Sequence, residues 1–157
     1  MITEFQGKYR FLSNFWPATV IGPSSIVYPT VEHAYQAAKT EDERQHWRIM
    51  HMNTPGMAKR AGRRLVMRSD WDEVKYDIMY ELVKQKFFNN DELANSLMDT
   101  QDVPIIEGNM WHDNYWGSCH CSRHNGGGQN KMGGILMLVR GELFDRYHET
   151  WRAREGS

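Results

Sequence analysis

Between Glu107 and Gly117 lie two tryptophans, Trp111 and Trp116, and a tyrosine, Tyr115, with one carboxylate, Asp113, among the rings. Asn109 and Asn114 supply amides, and Gly108 and Gly117 let the backbone take conformations other residues resist. Flat aromatic faces stack on a sugar or a base, and a carboxylate steadies a positive charge that develops beside them. No aliphatic run accompanies the rings, as a core strand would require. Composition alone leaves a Trp-rich turn capping a core as an equal reading, so the neighbouring segments decide.

A second set of chemical groups lies in Pro29–Lys39. Thr30 is a good N-cap and the alanines that follow favour helix, which sets Glu32 in the first turn, where the helix dipole favours its charged form. Glu32, Tyr35, Gln36 and Lys39 share one helical face. A solvated face with a Glu–Lys pair is the common origin of such stripes. Here Ala34, Ala37 and Ala38 are too small to make the opposite face a rich core surface, so the polar stripe is expected to face inward, into a pocket.

Other candidate groups are weaker signals. Asn14 and Phe15 belong to the aromatic segment Phe11–Pro17, and the Asn14 side chain is suited to bonding nearby backbone or a ligand. The helix opened by Thr54 and Pro55 carries Lys59, Arg60, Arg63 and Arg64, a local basic cluster that reads as a solvated face for most of the four and could receive phosphate. Asn125–Asn130 is glycine-rich and precedes a helix, an arrangement suited to anions. His112, Cys119, His120, Cys121 and His124 are metal-ligand types. A Cys-x-Cys followed by histidine three residues on is not a standard structural zinc spacing, however, and no second distant pair accompanies it. No metal and no cofactor are assigned.

These groups need elements to position them. At 157 residues the chain is read as one domain, residues 1–157, long enough to bury its own core. Its 19 Lys and Arg against 20 Asp and Glu exclude a strongly basic nucleic-acid coat. No apolar run reaches the roughly 20 residues of a membrane span. The N-terminus lacks a signal-peptide pattern, and two cysteines make no disulfide framework, so a reduced, cytoplasmic protein is expected. Residues 1–28 read as short strands and a turn, with Val20–Ile21 and Ile26–Tyr28 forming a hairpin. Helices are expected over 31–39, 41–53, 56–64, 71–88, 91–99 and 131–147, and a strand over Val103–Glu107 leading into the aromatic loop. The longest run has a core stripe of Trp71, Val74, Ile78, Leu82 and Phe87. The last helix has an apolar face of Ile135, Leu136, Leu138, Val139 and Leu143.

Five blocks carry a resemblance: Phe11–Phe15, Pro29–Lys39, Asp113–Gly117, Gly128–Gly133 and Leu136–Arg140. In this order they resemble the signatures of the NADAR family of N-glycosidases, spanning nearly the whole chain. The resemblance implies a single compact, mainly helical α+β domain. It implies hydrolysis of N-glycosidic bonds, either in phosphorylated aminopyrimidine ribosyl intermediates of riboflavin synthesis or between ADP-ribose and guanine in nucleic acid. Glu32, Trp71, Asp113 and Trp116 match the functional positions of the riboflavin branch, and Lys39 matches the lysine of the helix signature. Met132 stands where leucine is usual. The insert Ser118–His124 departs from the glycine-richer form of the riboflavin-linked members.

The expected catalytic residues are Glu32, Asp113 and Lys39. The expected substrate-binding residues are Asn14, Phe15, Trp71, Trp111, Tyr115, Trp116, Gly117 and Asn130. The partner is a small phosphorylated ribosyl compound or ADP-ribosylated nucleic acid, with no membrane. The competing class is a non-catalytic module that binds ADP-ribose or a nucleotide; it needs the rings and the glycines but not both Glu32 and Lys39.

Overall fold

The computed structural model describes residues 1–156 and is a mainly helical α+β protein. Its contacts divide it into two compact units, Ser13–Asn89 and a second made of Met1–Leu12 with the chain from Asn90 onward. No helix among the described residues is long and apolar enough to cross a membrane.

In the Ser13–Asn89 unit, β1 (Val20–Ile21) and β2 (Val27–Tyr28) pair antiparallel, Val20 opposite Tyr28, around a turn at Gly22–Ser25. The central element is α1 (Val31–Ala37), in which every residue is buried. Thr30 caps it as expected, its hydroxyl accepting the His33 N–H at 3.1 Å. Around α1 pack α2 (Glu43–Met50), α3 (Pro55–Gly62) and α4 (Trp71–Phe88). Asp42 and Thr54 cap α2 and α3 through side-chain oxygens. Asp70 precedes α4 without capping it, because its carboxylate is held by Arg68 at 2.6 and 3.0 Å. Of the expected α4 stripe, Trp71, Leu82 and Phe87 are buried with Met79 and Val83, whereas Val74 and Ile78 are only half-buried, and Lys86 is buried with the core residues.

A helix seven residues long has little stability of its own, so α1 is held by tertiary packing. His33 contributes through both ring nitrogens: Nδ1 lies 2.7 Å from Thr30 Oγ1 and Nε2 lies 3.0 Å from Met52 O. Burial pushes this imidazole below its ordinary pKa, against the backbone bond that favours its charged form.

In the other unit, α5 (Asp91–Met98) is capped by Asn90 and packs on α6 (Lys131–Glu155). Arg140 of α6, buried, donates to Thr100 Oγ1 at 2.9 Å and Val103 O at 2.8 Å. Four expectations are corrected. Residues 7–12 form a 3-10 helix instead of strand. Val103–Glu107 is not a strand: Pro104 has no N–H, and Ile105 makes one isolated bridge to Ile2. The pairing falls later, as β3 (Gly108–Asn109) parallel to β4 (Ser118–Cys119). In α6, Leu138 is exposed, leaving Ile135, Leu136, Val139 and Leu143 as the buried face. That helix also continues to Glu155, beyond its apolar stripe.

Candidate functional site

Each unit carries a group of the sequence-selected residues, and each group has its own logic. In the first, α1 buries Glu32, Tyr35 and Gln36 of its polar stripe, while Lys39 is half-buried just beyond the helix. The cleft nearby is lined by residues from Thr40 to Arg68 and not by the stripe. Glu32 is 7% exposed, and its Oε1 accepts from Gln36 Nε2 at 2.8 Å. Its backbone N–H donates to Asn14 O at 3.2 Å, so Asn14 holds the first turn of α1 through its main chain. The Asn14 side-chain amide meets Met79 Sδ at 3.5 Å. Phe15 is exposed, with Lys59 Nζ 6.0 Å from its ring centroid.

Lys39 lies just past α1, its Nζ 5.7 Å from the centroid of Tyr35, and Tyr35 in turn packs on Trp71 at 5.1 Å. Trp71 is buried. Burial is the main cause that lowers the Lys39 pKa; the Glu32 charge opposes it, while Lys59, Arg63 and Lys75 push the same way. The lysine is thereby drawn towards the neutral amine that a nucleophile needs. The basic helix divides accordingly. Lys59 and Arg63 act on Lys39, whereas Arg60 and Arg64 line that cleft, of about 620 Å³, with Arg48 and Arg68.

Lys86 and Gly62 of this unit escaped sequence reasoning, and Gln36 was read only as one member of the polar stripe. Lys86 is 1% exposed and donates from Nζ to Ser13 O at 2.8 Å, fixing the turn whose next carbonyl receives the Glu32 N–H. It is a positioning residue, and its place at helical spacing from Met79, Leu82 and Val83 was the available signal. Burial pulls its ammonium down to about 7. Gln36 orients Glu32, and its buried Oε1 has no hydrogen-bond partner. Gly62 explains that amide's position: a Cβ there would overlap Gln36 Oε1 and lie 2.7 Å from its Cδ.

Two predictions follow from this packing. Gly62→Ala is expected to destabilise the protein by about 1–3 kcal/mol, the usual cost of overpacking, and to weaken turnover by turning Gln36 off Glu32; thermal unfolding and kinetics of one preparation check both. For Lys86, the unfolded chain binds the proton up to lysine's ordinary pKa of about 10.4, and the folded chain releases it near 7. The unfolded state therefore holds more protons between those values, and stability rises with pH across that window. Lys86→Met is expected to remove up to about 1.4 kcal/mol per pH unit of that slope. Denaturant melts of both proteins from pH 7 to 9 check it, and parallel curves would contradict it.

In the second unit, the aromatic loop is organised by Asn109, which sequence reasoning treated only as a neighbouring amide. Asn109 Oδ1 accepts the N–H groups of Trp111 and Asp113 at 3.2 and 3.1 Å, and its Nδ2 donates to Asp113 O at 2.8 Å. Asp113 Oδ1 then accepts the N–H groups of Tyr115 and Trp116 at 3.1 and 2.9 Å. Tyr115 and Trp116 meet edge to face, 4.7 Å between centroids. Trp111 is 60% exposed, and Gly117 is buried where a Cβ would overlap Glu107 O.

The expectation of an anion site at the start of α6 is overturned. The N–H groups of Gln129, Asn130, Lys131 and Met132 donate to the carbonyls of Asn114, Gly117, Tyr115 and Trp116 at 2.8–3.2 Å. The helix terminus thus holds the aromatic loop, and those donors are not available to a phosphate. Asn130 has a left-handed backbone (φ 48°); its Oδ1 accepts from Glu107 N and its Nδ2 donates to Ile105 O, both at 2.9 Å. His112, Cys119, Cys121 and His124 also converge here, their ligand atoms all within 4.8 Å of one another.

These geometries can be set beside known proteins. The NADAR domain family matches residues 3–144. N-glycosidase YbiA of Escherichia coli (strain K12) is 34% identical over 139 residues, covering 86% of this chain and 82% of that protein. A riboflavin biosynthesis protein of Vibrio vulnificus (strain YJ016) is 34% identical over 138 residues; the match takes in 87% of this chain but 36% of that protein, so the chain spans about a third of its length. The NMR structure of the E. coli protein YbiA superposes with a TM-score of 0.78 at 31% identity, over 95% of this chain and 88% of that one.

Proposed function

The chain belongs to the NADAR domain family, and from that premise we propose that it is a hydrolase of N-glycosyl bonds whose substrate is a phosphorylated ribose joined to an amine or nitrogen base. Its relatives named N-glycosidase support the reaction class. The name of the Vibrio relative supports a riboflavin-related aminopyrimidine ribosyl phosphate as the first substrate to test, with ADP-ribosylated guanine as the second. The observation that carries the reading is the buried carboxylate Glu32, oriented by Gln36, seven residues before a lysine just past the helix end whose pKa burial lowers.

The chemistry runs as follows. As the bond from the anomeric carbon to nitrogen breaks, positive charge develops on the sugar, and Glu32 stabilises it, with Asp113 as the second carboxylate. The neutral Lys39 amine adds to that carbon as the bond to the base breaks, and one amine proton passes to the departing base. The ring carbon–oxygen bond then opens, the ring oxygen takes the second proton, and a Schiff base to the opened sugar results. Water then hydrolyses the carbon–nitrogen double bond, returning the sugar phosphate and free Lys39. Trp71, Trp111, Tyr115, Trp116 and Phe15 are the proposed aromatic contacts to base or sugar, with Asn14 as a further binding position. Gly117 and Asn130 instead hold the loop that presents the rings. Lys59 and Arg63 are the proposed phosphate partners.

Mass spectrometry of both substrates after incubation tests the function: free base and sugar phosphate from at least one are expected, and two intact substrates would leave a binding module instead. Borohydride added during turnover is expected to fix a sugar on Lys39, visible in its peptide. No adduct, together with partial activity in Lys39→Arg, would reduce Lys39 to an electrostatic anchor. Arg63→Ala is expected to raise KM more than it lowers kcat; an unchanged KM would remove the phosphate role.

A further inference from the structure

We propose that His112, Cys119, Cys121 and His124 form a closed four-coordinate site for one zinc ion, which pins the loop carrying Asp113. The inference stands apart from the N-glycosidase reading, since it rests on the ligand geometry alone. Spacing along the sequence argued against zinc because a Cys-x-Cys followed by histidine three residues on is not a standard structural spacing and no second distant pair accompanies it. The fold adds a fourth ligand, His112, from seven residues before Cys119.

The distances fit a tetrahedron. Bonds of about 2.05 Å to nitrogen and about 2.3 Å to sulfur require edges of roughly 3.3 Å between nitrogens and roughly 3.6 Å between nitrogen and sulfur. His112 Nδ1 and His124 Nδ1 are 3.4 Å apart. Cys121 Sγ lies 3.4 Å from His112 Nδ1 and 3.1 Å from His124 Nδ1, and Cys119 Sγ lies 4.0 Å from His112 Nδ1. Four side chains of two thiols and two imidazoles, their ligand atoms all within 4.8 Å of one another, are a donor set suited to zinc.

The backbone is shaped to deliver those ligands. Cys119 is tied to the Gly126–Gly127 turn, its N–H donating to Gly127 O at 2.9 Å and its carbonyl accepting from Gly126 N at 2.7 Å. Cys121 O accepts the N–H groups of His124 and Asn125 at 3.2 and 2.8 Å, which folds the turn so that His124 comes back over Cys121. His112 holds a left-handed backbone, φ 70°, which a non-glycine residue adopts at a cost and keeps only where its surroundings require it. Cys119 and Cys121 are buried, while His112 is exposed and His124 partly so, leaving a path by which an ion enters.

All four positions belong to protein ligands, which leaves no open position for water or substrate, so the ion is structural and takes no part in bond cleavage. Its effect falls on the loop. His112 adjoins Asp113, and the Cys119–His124 turn lies on the far side of Tyr115 and Trp116. Occupancy therefore ties both ends of the aromatic loop to one point.

The test uses the full chain without a histidine tag, purified with thiols kept reduced, and measures bound metal directly. About one zinc per chain is expected, with less than roughly a tenth of that in the Cys119→Ser/Cys121→Ser variant. Removing the metal by chelation is expected to lower Tm, and zinc chloride alone to restore it. Cobalt(II) in place of zinc is expected to give the intense visible bands of a tetrahedral ion with thiolate charge transfer. If the double variant does not fold, the wild-type cobalt spectrum decides. Reduced wild-type protein that binds no more zinc than the variant after reconstitution, or a cobalt spectrum without tetrahedral and thiolate features, overturns the site.

Discussion

Glu32→Gln is expected to lower kcat by two or more orders of magnitude while the protein stays folded. The substitution keeps the shape of the side chain and an oxygen that can still accept from Gln36 Nε2, so the contact at 2.8 Å survives. What it removes is the negative charge in a buried position, where electrostatic stabilisation of a cationic transition state is worth about 3–4 kcal/mol, by analogy with the loss of one oxyanion-hole donor. The loss should fall on kcat, because the charge matters most when the sugar becomes positive. Kinetics beside a thermal melt check it. Near-normal turnover in a folded Glu32→Gln protein would take Glu32 out of the mechanism.

Asp113 needs a pair of substitutions, because it has two jobs. Its Oδ1 holds the Tyr115 and Trp116 N–H groups, a local turn that any side-chain carbonyl can serve. Its charge is the part proposed for chemistry. Asp113→Asn keeps the acceptor and loses the charge, and is expected to cost about a hundredfold in kcat with little change in Tm. Asp113→Ala loses both and is expected to lower Tm as well, by about 1–2 kcal/mol of stability for the two lost bonds. If the asparagine variant is fully active and the alanine variant is not, Asp113 is a structural residue of the loop.

The parts of this molecule that were legible in its sequence were those governed by local rules. Thr30, Thr54 and Asn90 cap helices because a short polar side chain before an apolar run has few better uses. The burial of the polar stripe of α1 was expected, but small alanines are not its cause: Ala34, Ala37 and Ala38 are buried core as well, so the whole short helix is enclosed. The illegible parts depend on what long-range packing brings together. Nothing near Val103–Glu107 says that its pairing is a single bridge to Ile2, far away in the chain. The start of α6 has the glycines of an anion site, yet its N–H groups meet carbonyls from residues 114–117. His112 became a partner of Cys121 only through the turn that β4 and Gly126–Gly127 create. Lys86 is the instructive case, since its helical spacing already placed it in the core stripe. A lysine at such a position is costly to bury, and that cost was the sign of a specific partner, Ser13 O.

The most direct test of the N-glycosidase account follows the anomeric proton of an aminopyrimidine ribosyl phosphate, and of an ADP-ribosylated guanine oligonucleotide, by proton NMR after the protein is added. Catalysis predicts that the signal of the nitrogen-linked anomeric position disappears in at least one of them. The two anomers of the free sugar phosphate should grow in its place, and Glu32→Gln should leave the spectrum unchanged. An anomeric signal that shifts or broadens with protein but persists in both substrates would contradict the account and make this protein a binding module.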